Sequence, residues 1–227
     1  MAKDRPTPFT ALAQPTSAYT LTMDPKKGAA RRWFDRRAGA YESGFTSRWR
    51  DPVQQASLDA LELTPEDRLL DVGCGTGAAS RAGGAIAKLV VGADLSSAMI
   101  RTAAELGQAT DNVQFVMADA ERLPFEDDAF TAVLCSNSFH HYPDPLSAVL
   151  EMTRVLAPAG RLVIGDACAD NAMVRVADRF LRRFEPGHVR LYRSGELGGF
   201  LRSAGLSRVM RRSLSEGGMA IVRGFAV

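Results

Sequence analysis

The sequence predicts an α/β fold in which a largely parallel sheet carries helices on both faces. Three observations predict it. Between residues 68 and 165, five short apolar runs alternate with helical stretches, the pattern of right-handed βαβ crossovers. The first run ends in a glycine-rich loop leading into a helix, and open parallel sheets bind ligands beyond the carboxyl ends of their strands. The chain closes on two apolar runs separated by Ser215-Glu216-Gly217-Gly218, which read as an antiparallel hairpin.

Composition sets the outer bounds. At 227 residues, with 46% hydrophobic and 24% charged residues, the chain is neither disordered throughout nor collagen-like. A domain of this size buries roughly 70% of its unfolded surface and needs no covalent staples. Cys74, Cys135 and Cys168 are odd in number and contain no CxxC pair, which excludes a disulfide framework and a zinc site and suits the cytoplasm. A net charge of +2 creates no global field for nucleic acid or anionic membrane. No run of about 18 apolar residues is present, so no stable membrane insertion is expected.

Taken in order, residues 1–25 are rich in threonine and proline without periodicity and are expected to form a flexible extension. Residues 26–227 contain no internal repeat and no second composition block, and are expected to form a single domain. Trp33, Phe34, Arg37, Ala38 and Tyr41 share one helical face, and a second helix is expected over Pro52–Leu61. The expected strands are Arg68–Val72, Leu89–Ala93, Val113–Met117, Ala132–Cys135 and Arg161–Gly165. Helices are expected over Ala78–Lys88, Ser96–Gly107 and Leu146–Leu156, and the hairpin over Ser207–Ser213 and Met219–Val227.

The glycine loop is Asp71-Val72-Gly73-Cys74-Gly75-Thr76-Gly77. Gly73, Gly75 and Ala78 also satisfy GxGxxG/A, so the loop alone leaves a dinucleotide open. Three acids narrow the choice. Asp71, before the first glycine, would repel a pyrophosphate and attract an ammonium group. Asp94 ends the second strand, where a carboxylate accepts from ribose hydroxyls. Asp119, beside Ala120, ends the third, within reach of an adenine amino group. Ammonium, ribose and adenine without phosphate is the inventory of S-adenosylmethionine.

Asp71–Gly77 (DVGCGTG), Gly92–Met99 (GADLSSAM), Asp119–Phe125 (DAERLPF) and Arg154–Ile164 (RVLAPAGRLVI) resemble the successive motifs of class I S-adenosylmethionine-dependent methyltransferases. Within that class the sequence is most similar to the methyltransferase type 11 group, which holds ubiquinone- and menaquinone-biosynthesis enzymes. The resemblance covers about residues 30 to 227. It implies a Rossmann-like seven-stranded sheet of order 3-2-1-4-5-7-6, with strand 7 antiparallel and a small helical cap. It implies that Asp71 with Gly73, Cys74, Gly75 and Gly77 holds the methionine part, Asp94 the ribose, and Asp119 with Ala120 the adenine. Leu95 and Met99 would pack on the adenosine, Ser136 would lie over the sulfonium side, and Tyr41 would reach the cofactor from a helix also carrying Phe34, Asp35 and Ala38. Two positions depart from the pattern: Gly83-Gly84 interrupts a helix, costing roughly 2 kcal/mol of propensity, and Ala159 replaces a turn glycine.

For the chemistry, in-line methyl transfer depends on orientation, and a hydroxyl acceptor also wants a base. His140 and His141 follow strand 4, and Asp166 follows strand 5, its neighbour about 5 Å away. A His–Asp dyad is expected, with His140 ahead of His141, against the bland alternative of a packing or capping histidine. Asp166, Asp170 and Asn171 have magnesium-compatible oxygens, but no metal is expected. His188 reads as a loop residue, with a place lining the substrate mouth as the alternative. Arg175, Arg179, Arg182 and Arg183 form a solvated helical face, or else a patch for an anionic substrate or membrane surface. Ser136-Asn137-Ser138-Phe139 lacks the Asn/Asp-Pro-Pro-aromatic segment of nucleic-acid amino-methylating enzymes, so no nucleic acid is expected. The expected function is methyl transfer to oxygen or carbon of a small molecule, in natural-product or quinone-type biosynthesis. The alternatives are a rearrangement or cyclisation with the same cofactor, a non-catalytic binding module, and a nicotinamide oxidoreductase.

Overall fold

The structure, a computed structural model, describes residues 24–42, 47–108, 111–215 and 218–227. Seven strands form one sheet: β1 (Arg68–Val72), β2 (Leu89–Asp94), β3 (Val113–Met117), β4 (Phe130–Ser136), β5 (Leu156–Ala167), β6 (Ser207–Ser215) and β7 (Met219–Phe225). Their order is β3-β2-β1-β4-β5-β7-β6. The first five pair in parallel, and β7 runs antiparallel to both β5 and β6. Because β1 pairs with β2 on one side and β4 on the other, the strand order reverses at β1. Sheets of this kind leave a crevice at such a switch point.

Among the described residues seven α-helices accompany the sheet: α1 (Pro25–Asp35), α2 (Ser47–Leu61), α3 (Ala78–Gly84), α4 (Ser97–Leu106), α5 (Pro145–Arg154), α6 (Ala172–Phe184) and α7 (Ser194–Ser203). Period-2 alternation divides the core between the two faces of the sheet. Leu70, Val72, Val133 and Ile164 pack with Met152 of α5 and Leu197 and Leu201 of α7. Leu69, Val90, Leu134 and Val163 pack with Leu58 and Leu61 of α2.

Several expected boundaries move. α1 begins at Pro25, capped by the Asp24 carboxylate, which accepts from Lys26 N at 2.7 Å. The remainder of the expected extension, residues 1–23, lies outside the described residues. The face running from Trp33 to Tyr41 is a helix only to Asp35, followed by a 3-10 turn over Ala38–Ala40. α2 starts ahead of Pro52 and runs through it; proline marks helix starts because it lacks an N–H, not because chains must begin there. α3 stops at Gly84 rather than Lys88, where two glycines withdraw helix propensity. α5 ends at Arg154, and β5 spans Leu156 to Ala167, longer than expected at both ends. Ala159 takes the conformation of the glycine it replaces, with φ of 59°, a strain of about 1 kcal/mol. α7, with glycines at 195, 198 and 199, was not legible as a helix; burial of Leu197 and Leu201 supplies what propensity lacks.

Candidate active site

A cavity of about 430 Å³ lies at the carboxyl ends of β1, β2 and β4, with residues of α1 and of its following turn on its far wall. Three polar clasps hold that N-terminal segment down. Lys27 Nζ meets Asp119 Oδ2 and Glu121 Oε2, each at 2.6 Å. Asp35 Oδ1 accepts from Ser96 Oγ at 2.6 Å and from Ala98 N at 3.3 Å. Glu42 Oε1 accepts from Thr76 Oγ1 at 2.9 Å and from Arg81 Nη2 at 2.7 Å.

Tyr41, Gly73, Cys74, Gly75, Asp94, Leu95, Met99, Asp119, Ala120, Ser136 and His141 all line this cavity. Asp94 is fixed by the backbone: Oδ2 accepts from Gly75 N at 2.9 Å and Oδ1 from Ser96 N at 2.8 Å. Burial pushes its carboxyl above the ordinary range, partly opposed by those two N–H groups. Asp119 Oδ1 accepts from Glu121 N at 3.0 Å. Gly73 has φ of 73°, and a Cβ there would fall 2.3 Å from Ser138 Oγ, so the loop passes where only glycine fits. Cys74 is half-buried on the cavity wall.

Four expected site residues lie off the cavity wall. Asp71 is buried beneath the loop, where Ser80 Oγ donates to it at 2.6 Å, and burial pushes it up to about 6. Gly77 packs on the sheet: a Cβ would sit 2.5 Å from the Phe115 ring, so this glycine serves helix–strand contact and not a ligand. His140 and Asp166 do form the expected pair, with Nδ1 2.8 and 2.9 Å from the two carboxylate oxygens, but neither lines the cavity. His141 does, which reverses the expected order of the two histidines. The cause is β4's exit: a 3-10 turn over Phe139–His141 sends successive side chains to different sides.

All three histidines of the chain gather here. The rings of His140 and His141 are 4.0 Å apart, and His188 lies 5.3 Å from His140. His141 Nδ1 donates to Gly187 O at 2.8 Å, which places the neutral ring's lone pair on Nε2. Burial and then the charge on His140 hold His141 well below the usual histidine range. Burial works against protonation of His140 too, but Asp166 outweighs it and raises the value. His188 is buried rather than at a mouth, with Nε2 donating to Asp178 Oδ1 at 2.8 Å. Asp170 and Asn171 serve the backbone of Ser194 and Val174, and no group of metal-ligating residues occurs among the described residues.

Sequence reasoning missed Lys27, Glu121, Ser138 and Tyr142. Lys27 shares a helical face with Ala30 and Phe34, a spacing that was legible had the pattern been followed one turn earlier. Ser138 Oγ and Tyr142 OH, 2.9 Å apart, both lie within hydrogen-bond reach of Val72 O; nothing in their spacing announces that.

The donor set fits S-adenosylmethionine. The cavity presents the carboxylates of Glu42, Asp94, Asp119 and Glu121 against Lys27 and Arg31, an excess of acid that favours a cation and disfavours a pyrophosphate. Comparisons agree. A methyltransferase-domain family model matches residues 70–164. Demethylmenaquinone methyltransferase of Clavibacter sepedonicus is 31% identical over 89% of this chain and 92% of its own. The 27-O-demethylrifamycin SV methyltransferase of Amycolatopsis mediterranei is 40% identical over 47% of this chain and 40% of its own. Among solved structures, the complex of the Haloferax volcanii Trm112 methyltransferase activator with a methyltransferase overlays with a TM-score of 0.75, at 20% identity, covering 85% of this chain and 97% of that one.

Proposed function

The chain belongs to the class I S-adenosylmethionine-dependent methyltransferases, and from that premise we propose that it methylates an oxygen or carbon of a small quinone-type or natural-product acceptor, with His141 as the base. The relatives named for demethylmenaquinone and 27-O-demethylrifamycin SV support that acceptor class. The observation that carries the base assignment is a neutral histidine on the cavity wall, its tautomer set by Gly187 O.

When bound, S-adenosylmethionine supplies a methyl group on a positively charged sulfur. Asp94 would accept from the ribose hydroxyls, and Asp119 with Ala120 would face the adenine. Leu95 and Met99 would pack on the adenosine; Gly73, Cys74 and Gly75 would leave room for the methionine part. Ser136 and Tyr41 would close the sulfonium side. His141 Nε2 would take the proton released by the acceptor atom on methylation. Asp166 favours the charged form of His140, and that positive charge adds to burial in keeping His141 unprotonated. Three unpaired thiols support a reducing, cytoplasmic setting, and the acceptor is not nucleic acid.

Two measurements test this reading. S-Adenosylhomocysteine at about 100 times its dissociation constant should stabilise the chain by about 2.7 kcal/mol, whereas NADH should not. With a panel of phenols and quinols, His141→Asn should lower kcat by roughly 10³-fold and leave S-adenosylhomocysteine affinity within about threefold. Unchanged turnover in that variant would remove His141 as the base.

A further inference from the structure

α6 presents a row of large apolar side chains to solvent. Met173, Val176, Phe180 and Phe184 are 82%, 64%, 64% and 62% exposed, and at spacings of three and four residues they form one stripe. The Phe180 and Phe184 rings stack 4.3 Å apart. The helix is anchored from another side. Asp178, its one buried residue, accepts from Leu191 N at 2.7 Å and from His188, and pairs with Arg182. The stripe is therefore not a core face turned the wrong way.

Arginines border it. Arg175, Arg179, Arg182, Arg190 and Arg193 surround a depression of about 300 Å³ beside α6, whose acids are Asp178 and Glu196. Both acids are engaged, Asp178 as above and Glu196 by Arg190 and by Arg193 N. Arg175 turns back to donate to Ala169 O and Asp170 O, whereas Arg179 and Arg183, nearer the stripe, pair with no carboxylate among the described residues. Exposed aromatic and aliphatic side chains flanked by arginine are what a helix lying in a bilayer surface presents. A second copy is a poor match, since a twofold pairing of this face would set arginine against arginine.

We propose that α6 docks the chain on an anionic phospholipid bilayer, with Met173, Val176, Phe180 and Phe184 at the acyl boundary and Arg179 and Arg183 on lipid phosphates. No helix among the described residues is long and apolar enough to cross a membrane; the contact is peripheral. Its position is functional. Three residues beyond α6, Gly187 O holds His141, so a docked α6 sets the acceptor wall next to lipid. Docking itself does not depend on the acceptor proposed above.

The test is co-sedimentation of the intact chain with vesicles of phosphatidylglycerol and phosphatidylcholine, against phosphatidylcholine alone. Binding to the anionic vesicles should exceed binding to the neutral ones and weaken between about 0.1 and 0.5 M salt. Phe180→Ser/Phe184→Ser and Arg179→Glu/Arg183→Glu should each reduce it at least about tenfold, with thermal midpoints near that of the parent because the altered side chains are exposed. Phe180→Ser alone serves should a double variant fold poorly. Equal binding to both vesicle types, undiminished binding by the variants, or no sedimentation overturns the proposal. So does a parent dimer in ultracentrifugation that phosphatidylglycerol vesicles do not dissociate and the serine variants abolish.

Discussion

On the β2–β3 side of the cavity, the ligand-facing carboxylates are held by backbone N–H groups close by: Asp94 by Gly75 and Ser96, Asp119 by Glu121. On the β4–β5 side, the groups are held by distant partners. His141 depends on Gly187, 46 residues on, and His140 on Asp166, 26 residues on. The first arrangement follows mainly from strand ends and one loop, although Lys27 also reaches Asp119 from 92 residues away. The second is a set of coupled charges, so it can be retuned from positions that touch no ligand.

The sharpest test of that contrast is Asp94→Asn. It should weaken S-adenosylhomocysteine binding by roughly 100-fold, the loss of charge-assisted acceptance. Calorimetric titration measures it, and a loss under about threefold would mean that the ribose is held elsewhere.

Asp71 lies beneath the same loop and does not line the cavity. Its carboxyl is raised from 3.8 to about 6 by burial, so the folded chain binds its proton more tightly than the unfolded chain. Ionising it therefore costs stability as pH rises from about 4 to 6, and the cost stays constant above that. Relative to the parent, Asp71→Asn should gain about 3 kcal/mol between pH 4 and pH 7. Denaturant titrations at the two pH values check it; a gain on acidification instead would reverse the sign.

On the acceptor side, Asp166→Asn should act at a distance. Without Asp166, His140 loses its charge near neutrality, and the repulsion that depresses His141 disappears. The acid limb of kcat/KM should then move up by about one pH unit, with S-adenosylhomocysteine affinity little changed. A limb that stays in place would show that the two rings are not coupled.

The smallest effect belongs to a position far from either side. Gly83→Ala improves helix propensity by about 1 kcal/mol, yet the new Cβ would lie 2.6 Å from Leu69 Cδ2. Overpacking costs about 1–3 kcal/mol, so a net loss of about 1 kcal/mol is expected in thermal unfolding. A rise in the midpoint would mean that Leu69 gives way freely.

Much of the fold was legible because it rests on short-range pattern. β1 and β3 have the expected residues, and the final hairpin pairs as expected. The residues at the strand ends and in the glycine loop that line the cavity were legible for the same reason, since both features are local in sequence. The pattern failed where packing overrode propensity, as in α7, and where a glycine served the core, as Gly77 serves Phe115.

The sequence by itself determined the strand alternation, the acids at the strand ends and the amphipathic arginine helix, because each depends on residue type at fixed local spacing. Only the tertiary structure decided that His141 and not His140 faces the cavity, that Asp71 does not, that Lys27 meets Asp119, and that the apolar side of α6 is left uncovered. Those facts depend on which segments, dozens of residues apart, come within a few ångströms, and on which side of each backbone turn a side chain leaves.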